Sequence, residues 1–479
     1  MYQFAAHQRF GKFMMDCNSH LGLFYDAGCG KTAIALWWLR DALKDGRIAD
    51  ALVICPASLV LSWERAIDDM IKFEGFDEHD VKLLKEALTI VSFQKTYKRI
   101  NGNKRIIPLR DEVDKRWGAV IVDESHGIGS HSSVQSKAAI AIGRNADYRY
   151  ALSGTPTHGG GGGADFSKLY GQMQFLTAGM MWKNWTDFCS KCVVSYDNWR
   201  KPRKYNEELC KAIMENNSIV CKLEDCFDMP EVLENDVLCP LYAREAYNDL
   251  REGRLEKYGL DIEVSGAQYL KMLQVCSGAM KVPIQVPKRL PGMVAAKVYE
   301  VGDLDKVPKD GDGEELGNIM ELGTSKDDAL RDILEGTDDQ VVIFCNFRAS
   351  IDRCLEICKR CHRNVQVFDG RSKGSTWTDL VNGKCNTLIC QYQSGGVGLN
   401  LQTAHIMVMY EPCLSSLLMK QAKARIYRKG QDKRCLYHYL RTPGTIESKV
   451  WTSVRNGVDV NELMLAQWAL HPDDLDSTY

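Results

Sequence analysis

Short, nearly continuous apolar runs recur along the first third of the chain. "ALVICP" (residues 51–56), "LTIVSF" (88–93), "GAVIVDE" (118–124) and "YRYALSGT" (148–155) each have strand length and close on polar residues or proline. Such runs predict strands buried on both faces of a parallel sheet. Helical stretches separate most of them, which is the pattern of a doubly wound α/β unit. The same grammar returns in "QVVIFCNF" (340–347), "VQVFDG" (365–370), "NTLICQYQ" (386–393) and "AHIMVMYE" (404–411). The chain therefore reads as two α/β units. Between about residues 165 and 335 the spacing changes. "KLYGQMQFL", "NEELCKAIM" and "LYAREAYNDLREGRLEKYGL" have helical periodicity, and residues 290–322 suggest a hairpin with loops. The acidic end "HPDDLDSTY" reads as a frayed tail.

Composition changes this picture little. The 479 residues are 45% hydrophobic and 26% charged, which suits a globular protein. No apolar run reaches the roughly 20 residues that a membrane span needs. The start "MYQFAAHQRF" carries no charged leader before an apolar core. A cytoplasmic location is expected, in a bacterium or a phage-infected host. The net charge of −2 does not advertise nucleic-acid binding. Basic stretches at Lys98 to Arg116, residues 200–204 and Lys420 to Arg434 matter only if they line one groove. The 18 cysteines are scattered within apolar runs, as buried free thiols would be. Cys189 and Cys192 form a CxxC, and Cys354, Cys358, Cys361 and His362 form a second group. Helix-face packing accounts for the second better than a four-ligand zinc site does.

Three segments carry chemistry. "DAGCGKT" ends as a phosphate-binding loop should, although Tyr25 stands where the usual first glycine would be. Gly28 and Gly30 let backbone N–H groups converge on phosphates at a helix N-terminus. Lys31 would neutralise β/γ-phosphate charge and Thr32 would ligate Mg2+. Read alone, the segment leaves open a chance Gly-Lys-Thr at a helix start. "VIVDESH" delivers two carboxylates at the end of a buried strand. Asp123 would hold Mg2+ through water, and Glu124 would orient and deprotonate the attacking water. The third segment is "QAKARIYRKGQ". Arg425 and Arg428 lie three apart, on one face of a predicted helix. They read either as a basic surface or as arginine fingers reaching a γ-phosphate held by the first unit.

Taken in order, these segments resemble superfamily-2 helicase-like ATPases, and most closely their Swi/Snf-type branch. The resemblance runs from about Phe4 to Val450. "FAAHQRFGKFM" is similar to the adenine-reading motif, with Gln8 as reader. The branch's phosphate loop also lacks the outer glycine. "ICPASLVLSWERAI", "TIVSFQ", "DESH", "LSGTP", "VVIFCNFRASID", "QSGGVGLNLQTA" and "QAKARIYRKGQ" resemble motifs Ia, Ib, II, III, IV, V and VI. "RTPGTIESKV" resembles the segment that closes the branch. The resemblance implies an α/β fold of two RecA-like parallel-sheet lobes with helical insertions. Lobe one would span residues 1–232, with an insertion at about 165–232. A second insertion at about 233–325 would precede lobe two, which would end near 455, with a tail over 456–479.

The same resemblance implies ATP and Mg2+ as ligands, and Gln421, Arg425 and Arg428 beside Lys31 and Glu124 in the catalytic set. It implies nucleic-acid contacts at Trp63, Ser92, Asn346, Ser394, Gly395 and Gly396, with Ser153 and Thr155 coupling nucleotide state to the nucleic-acid groove. Short polar side chains and exposed amides suit phosphate oxygens, so binding should be independent of sequence and sensitive to salt. The expected partner is duplex or branched DNA, met as a monomer. Three departures stand out. Leu414 occupies the place of a tryptophan common in the family, "THGGGGGADF" follows the third motif, and Tyr427 replaces a common histidine. The reading is a DNA-stimulated, Mg2+-dependent ATPase that translocates on duplex DNA. Its alternatives are a helicase acting on forks and a catalytically silent nucleic-acid-binding scaffold.

Overall fold

The computed structural model describes residues 1–99, 106–107, 115–157, 165–196, 202–258, 260, 266–282, 318–372, 376–395 and 399–470. The chain divides into a compact unit ending at Met229 and a second from Pro230 onward, leaving aside glycines 160–162 outside the described residues. Among the described residues no helix is long and apolar enough to cross a membrane.

Unit one is built on six parallel strands: β1 (His20–Tyr25), β2 (Ala51–Cys55), β3 (Leu88–Ser92), β4 (Trp117–Asp123), β5 (Ala146–Leu152) and β6 (Ser218–Cys221). Their spatial order is β6-β1-β5-β4-β2-β3. Unit two repeats the plan with β7 (Val232–Leu238), β8 (Val341–Cys345), β9 (Val365–Phe368), β10 (Thr387–Gln391), β11 (Ile406–Met409) and β12 (Cys435–Arg441), in the order β7-β12-β11-β8-β10-β9. Every neighbouring pair is again parallel. Central strands β2 and β8 are buried along their whole length, as continuous apolar runs require.

The eight predicted runs each contain a strand of these sheets. Four further strands escaped the pattern. β6 is a four-residue edge strand, and β7 ("VLENDVL") is mostly exposed, so neither shows a buried run. The interrupted runs of β1 and β12 also went unassigned. As a result, the stretches expected as helical insertions hold edge strands of both sheets. Around 165–217 the helices Ser167–Leu176, Trp185–Cys192 and Glu207–Asn217 do form. Of the expected hairpin, Asn318–Glu321 pairs antiparallel with Ala279–Val282, and residues 290–317 lie outside the described residues. The expected tail begins differently. Glu462–Leu470 is a helix that buries Leu465 and Ala469 in the unit-two core, and "HPDDLDSTY" lies outside the described residues.

Candidate nucleotide and nucleic-acid site

Strand register brings the first two chemical segments together. Leu23 of β1, Leu152 of β5 and Asp123 of β4 stand level across three adjacent strands. In a parallel sheet all C-terminal ends open on one edge, where ligands bind. The loops after Tyr25, Asp123 and Leu152 therefore share that edge.

The first loop turns through two left-handed glycines, Gly28 (φ 94°) and Gly30 (φ 80°), a conformation that costs an L-residue about 1–2 kcal/mol. Helix Lys31–Lys44 then begins directly, with Gly30 as its N-cap. Lys31 Nζ donates to the carbonyl oxygens of Tyr25 (2.7 Å) and Asp26 (3.2 Å), so its charge stands over the loop. Thr32 is next, in the first helical turn, half-buried. Gln8 lies against the loop: a β-carbon on residue 30 would fall 2.1 Å from Gln8 Nε2. Gln8 Oε1 accepts the Ala5 amide at 2.9 Å, which fixes the side chain. Tyr25 is buried, and its hydroxyl donates to the His7 carbonyl at 3.1 Å. The tyrosine thus anchors the strand end rather than the turn, which is why an outer glycine is not needed there.

Asp123 and Glu124 divide their work. Asp123 is 6% exposed and accepts the Trp63 indole N–H at 2.8 Å and the Glu124 amide at 2.9 Å. Burial, then the Glu124 charge, raises its pKa to about 6, and the Trp63 bond and the Lys31 charge oppose that rise. Glu124 sits in the left-handed region (φ 49°), which turns it away from the strand. Its carboxylate lies 3.3 Å from His126 Nδ1, which in turn lies 3.3 Å from Ser153 Oγ. Ser153 Oγ accepts the Thr155 amide at 3.0 Å. A polar chain therefore links the second motif to the third. Gln172, which no sequence motif singled out, reinforces it. Wholly buried, it accepts from Ser125 Oγ (2.8 Å) and donates to the Pro156 carbonyl (2.7 Å).

The residues expected at the nucleic acid differ in exposure. Trp63 is 1% exposed and Ser153 is 0% exposed. Trp63 bonds Asp123, and Ser153 lies between His126 and the Thr155 amide, so both side chains are held on the carboxylate side of unit one. Ser92, the last residue of β3, is also buried. Thr155, Asn346 and Ser394 are half-buried. Gly395 ends the short helix Tyr392–Gly395, and Gly396 lies outside the described residues. In unit two, Cys345 and Gln391 are level across β8 and β10. The buried carboxylate of Glu411 takes the Asn346 amide (2.8 Å), the Phe347 amide (2.7 Å) and Ser350 Oγ (2.8 Å). That carboxylate satisfies the N-terminus of helix Arg348–Arg360. The Asn346 amide is therefore committed, and only its side chain is left for a phosphate.

The last motif also differs from its expected shape. The helix Ser416–Lys423 ends before the arginines, which lie in the turns that follow. They nevertheless converge: Arg425 donates to the Leu399 carbonyl at 3.2 Å and Arg428 to the same oxygen at 2.9 Å. Arg425 is also held by the Gln421 carbonyl at 2.9 Å. Leu414 and Tyr427 pack against the unit-two core. Nearby cations are mostly neutralised within their own unit, Lys423 by Glu234, Lys433 by Asp339 and Arg434 by Glu231. Most of Lys98 to Arg116 and the glycine run lie outside the described residues. All 18 cysteines are free thiols. Cys189 and Cys192 are buried in the core of unit one, Cys354 and Cys358 in that of unit two.

A family profile described as "SNF2-related domain" matches residues 7–248, just over half of the chain. The chain belongs to the SNF2-related family. A second profile, "Helicase conserved C-terminal domain", matches residues 325–430 of this SNF2-related chain. It is 23% identical to DNA repair protein rhp54 of Schizosaccharomyces pombe, over 89% of its own length and 53% of the relative's. It is 24% identical to DNA repair and recombination protein RAD54 of Saccharomyces cerevisiae, over 89% and 51%. An uncharacterised ATP-dependent helicase of Mycoplasma pneumoniae is 22% identical, over 90% of this chain and 39% of that protein. The chain thus spans about half the length of the curated relatives first matched. Among solved structures, the Sulfolobus solfataricus SWI2/SNF2 ATPase core in complex with dsDNA aligns over 94% of this chain and 90% of that one, at 21% identity and TM-score 0.39.

Proposed function

We propose that this SNF2-related chain is a DNA-stimulated, Mg2+-dependent ATPase that translocates on duplex DNA and remodels DNA or protein–DNA complexes. The observation that carries it is the row Leu23, Leu152 and Asp123, which gathers the phosphate loop, the two carboxylates and the third motif at one sheet edge. The residues fit a nucleoside triphosphate. Glycine at position 30 takes the left-handed turn and leaves room for Gln8 to close on the loop, and Lys31 adds a cation over the loop. Thr32 and Asp123 would hold Mg2+, which would neutralise phosphate charge. Glu124, turned out of the strand, is the base that orients and deprotonates water. Gln8 reads the adenine. Gln421 positions Arg425, and Arg425 and Arg428 reach the γ-phosphate as fingers. Thr155, Asn346, Ser394 and the glycines Gly395 and Gly396 track one strand's phosphates, independently of sequence. The chain acts as a monomer in a cytoplasm.

ATPase rates without nucleic acid and with single-stranded DNA, duplex DNA, forked DNA and RNA test this reading. Stimulation by duplex, with displacement of a triplex-forming strand, is expected. Stimulation by single strands alone, with no triplex displacement, overturns translocation on duplexes. Preference for forks with strand separation favours an unwinding enzyme. Glu124→Gln should retain nucleotide and lose turnover, and unchanged turnover would remove Glu124 from its role.

A further inference from the structure

Three cysteines meet beside the phosphate loop. Cys29 belongs to the loop itself, between the two left-handed glycines, and is wholly buried. Cys221 is the last residue of edge strand β6, opposite Tyr25 in register. Cys226 sits in the turn that follows, whose amide returns to the Leu223 carbonyl at 3.1 Å. The three sulfurs all lie within 4.8 Å of one another, and Cys221 Sγ is 2.8 Å from Cys226 Sγ. Among the described residues this is the one group of three possible metal ligands whose ligand atoms lie this close together.

We propose that Cys29, Cys221 and Cys226 form a thiolate site for zinc, with water as the fourth ligand, which ties the phosphate loop to β6. Core packing does not explain the cluster, since Cys221 and Cys226 are partly exposed. A disulfide would use two of the sulfurs and leave the third without a role. Tetrahedral zinc with bonds of about 2.3 Å sets its sulfurs about 3.8 Å apart. The Cys221 and Cys226 sulfurs, 2.8 Å apart, would have to move apart by about 1 Å to bind it. Binding would release three thiol protons to solvent and leave three thiolates on the metal. The backbone already holds the parts in place: the Asp26 amide donates to the Cys221 carbonyl at 2.9 Å, and Asp26 Oδ2 accepts the Leu223 amide at 3.3 Å. This site does not depend on nucleotide hydrolysis.

The test uses the full chain, purified under reducing conditions without chelator. Metal analysis should find about one zinc per chain. X-ray absorption at the zinc edge should show three sulfurs at about 2.3 Å and one lighter ligand. Cobalt(II) added to the metal-free protein should give a thiolate charge-transfer band. Cys221→Ser and Cys226→Ser should each lose most of the metal and the band, whereas the exposed Cys17→Ser should keep both. Absence of zinc and of the cobalt band in the wild-type chain overturns the proposal. So does a band unchanged by both variants, or a Cys221–Cys226 disulfide whose reduced form takes up no metal.

Discussion

The indole of Trp63 donates to the carboxylate of Asp123 at 2.8 Å, sixty residues away in sequence. Trp63 is on helix Val60–Asp69 and Asp123 ends β4, so the bond spans the loops of two neighbouring strands. It holds a buried carboxylate whose burial works against its charge. Trp63→Phe removes that donor and keeps an aromatic ring, though a smaller one. An unpaired buried acceptor costs about 1–3 kcal/mol, and loss of an outer-sphere partner weakens metal affinity or activity about 10–100-fold. The Mg2+ concentration for half-maximal ATPase should therefore rise. A stability loss with an unchanged Mg2+ dependence would make Trp63 a packing residue only.

Gly30→Ala combines a left-handed backbone with a collision. Its φ is 80° and the added carbon would lie 2.1 Å from Gln8 Nε2. The variant should bind a fluorescent ATP analogue at least about fivefold more weakly, since the left-handed backbone and the displaced Gln8 amide together cost about 1–3 kcal/mol. Gly46 is also left-handed, but nothing stands within 4 Å of its added carbon. Gly46→Ala, past the far end of the same helix, should leave nucleotide affinity unaltered; an equal loss there would mean general destabilisation rather than an effect on the loop.

Arg425 and Arg428 donate to one carbonyl, that of Leu399. Substitution of either by alanine should lower kcat about 10³-fold, the scale of an arginine finger, with ATP affinity changed only slightly. Lysine should not restore activity, because a single ammonium cannot reproduce the planar guanidinium fork. Single-turnover kinetics with nucleotide-binding titrations check both statements. Full activity in Arg428→Ala would remove that residue from the set.

Lys326 and Glu447 form a wholly buried ion pair in unit two. Burial works to discharge Lys326, but the Glu447 carboxylate outweighs it and leaves the ammonium pKa above its ordinary value. Lys326 also donates to the Tyr410 carbonyl (3.1 Å), and Glu447 accepts the Thr442 amide (2.9 Å). Lys326→Met should destabilise the fold by about 3–5 kcal/mol, because one charge is left buried and unpaired. Replacing both partners with apolar residues should recover part of that loss. Chemical denaturation of the two variants measures the difference.

Most of the eight apolar runs were legible because a strand buried on both faces excludes polar residues, a local constraint; β3 and β9 lie at sheet edges and are only partly buried, yet keep apolar residues. So were the glycines around Lys31, the acids closing β4 and the motif order that marks the family. Edge strands β6 and β7 were not legible, since β6 has only four residues and most of β7 faces solvent. The end of the last motif's helix at Lys423 was likewise unreadable, because the Arg425 carbonyl accepts the distant Leu401 amide at 3.1 Å in place of a helical one. Only the folded sheet showed that Trp63 serves Asp123, that Gln172 bridges two motifs, and that Cys29 meets Cys221 and Cys226. Most of those relations join residues nearly fifty to two hundred positions apart. Strand order and register set them, and no local pattern of side chains encodes which distant loops will share an edge.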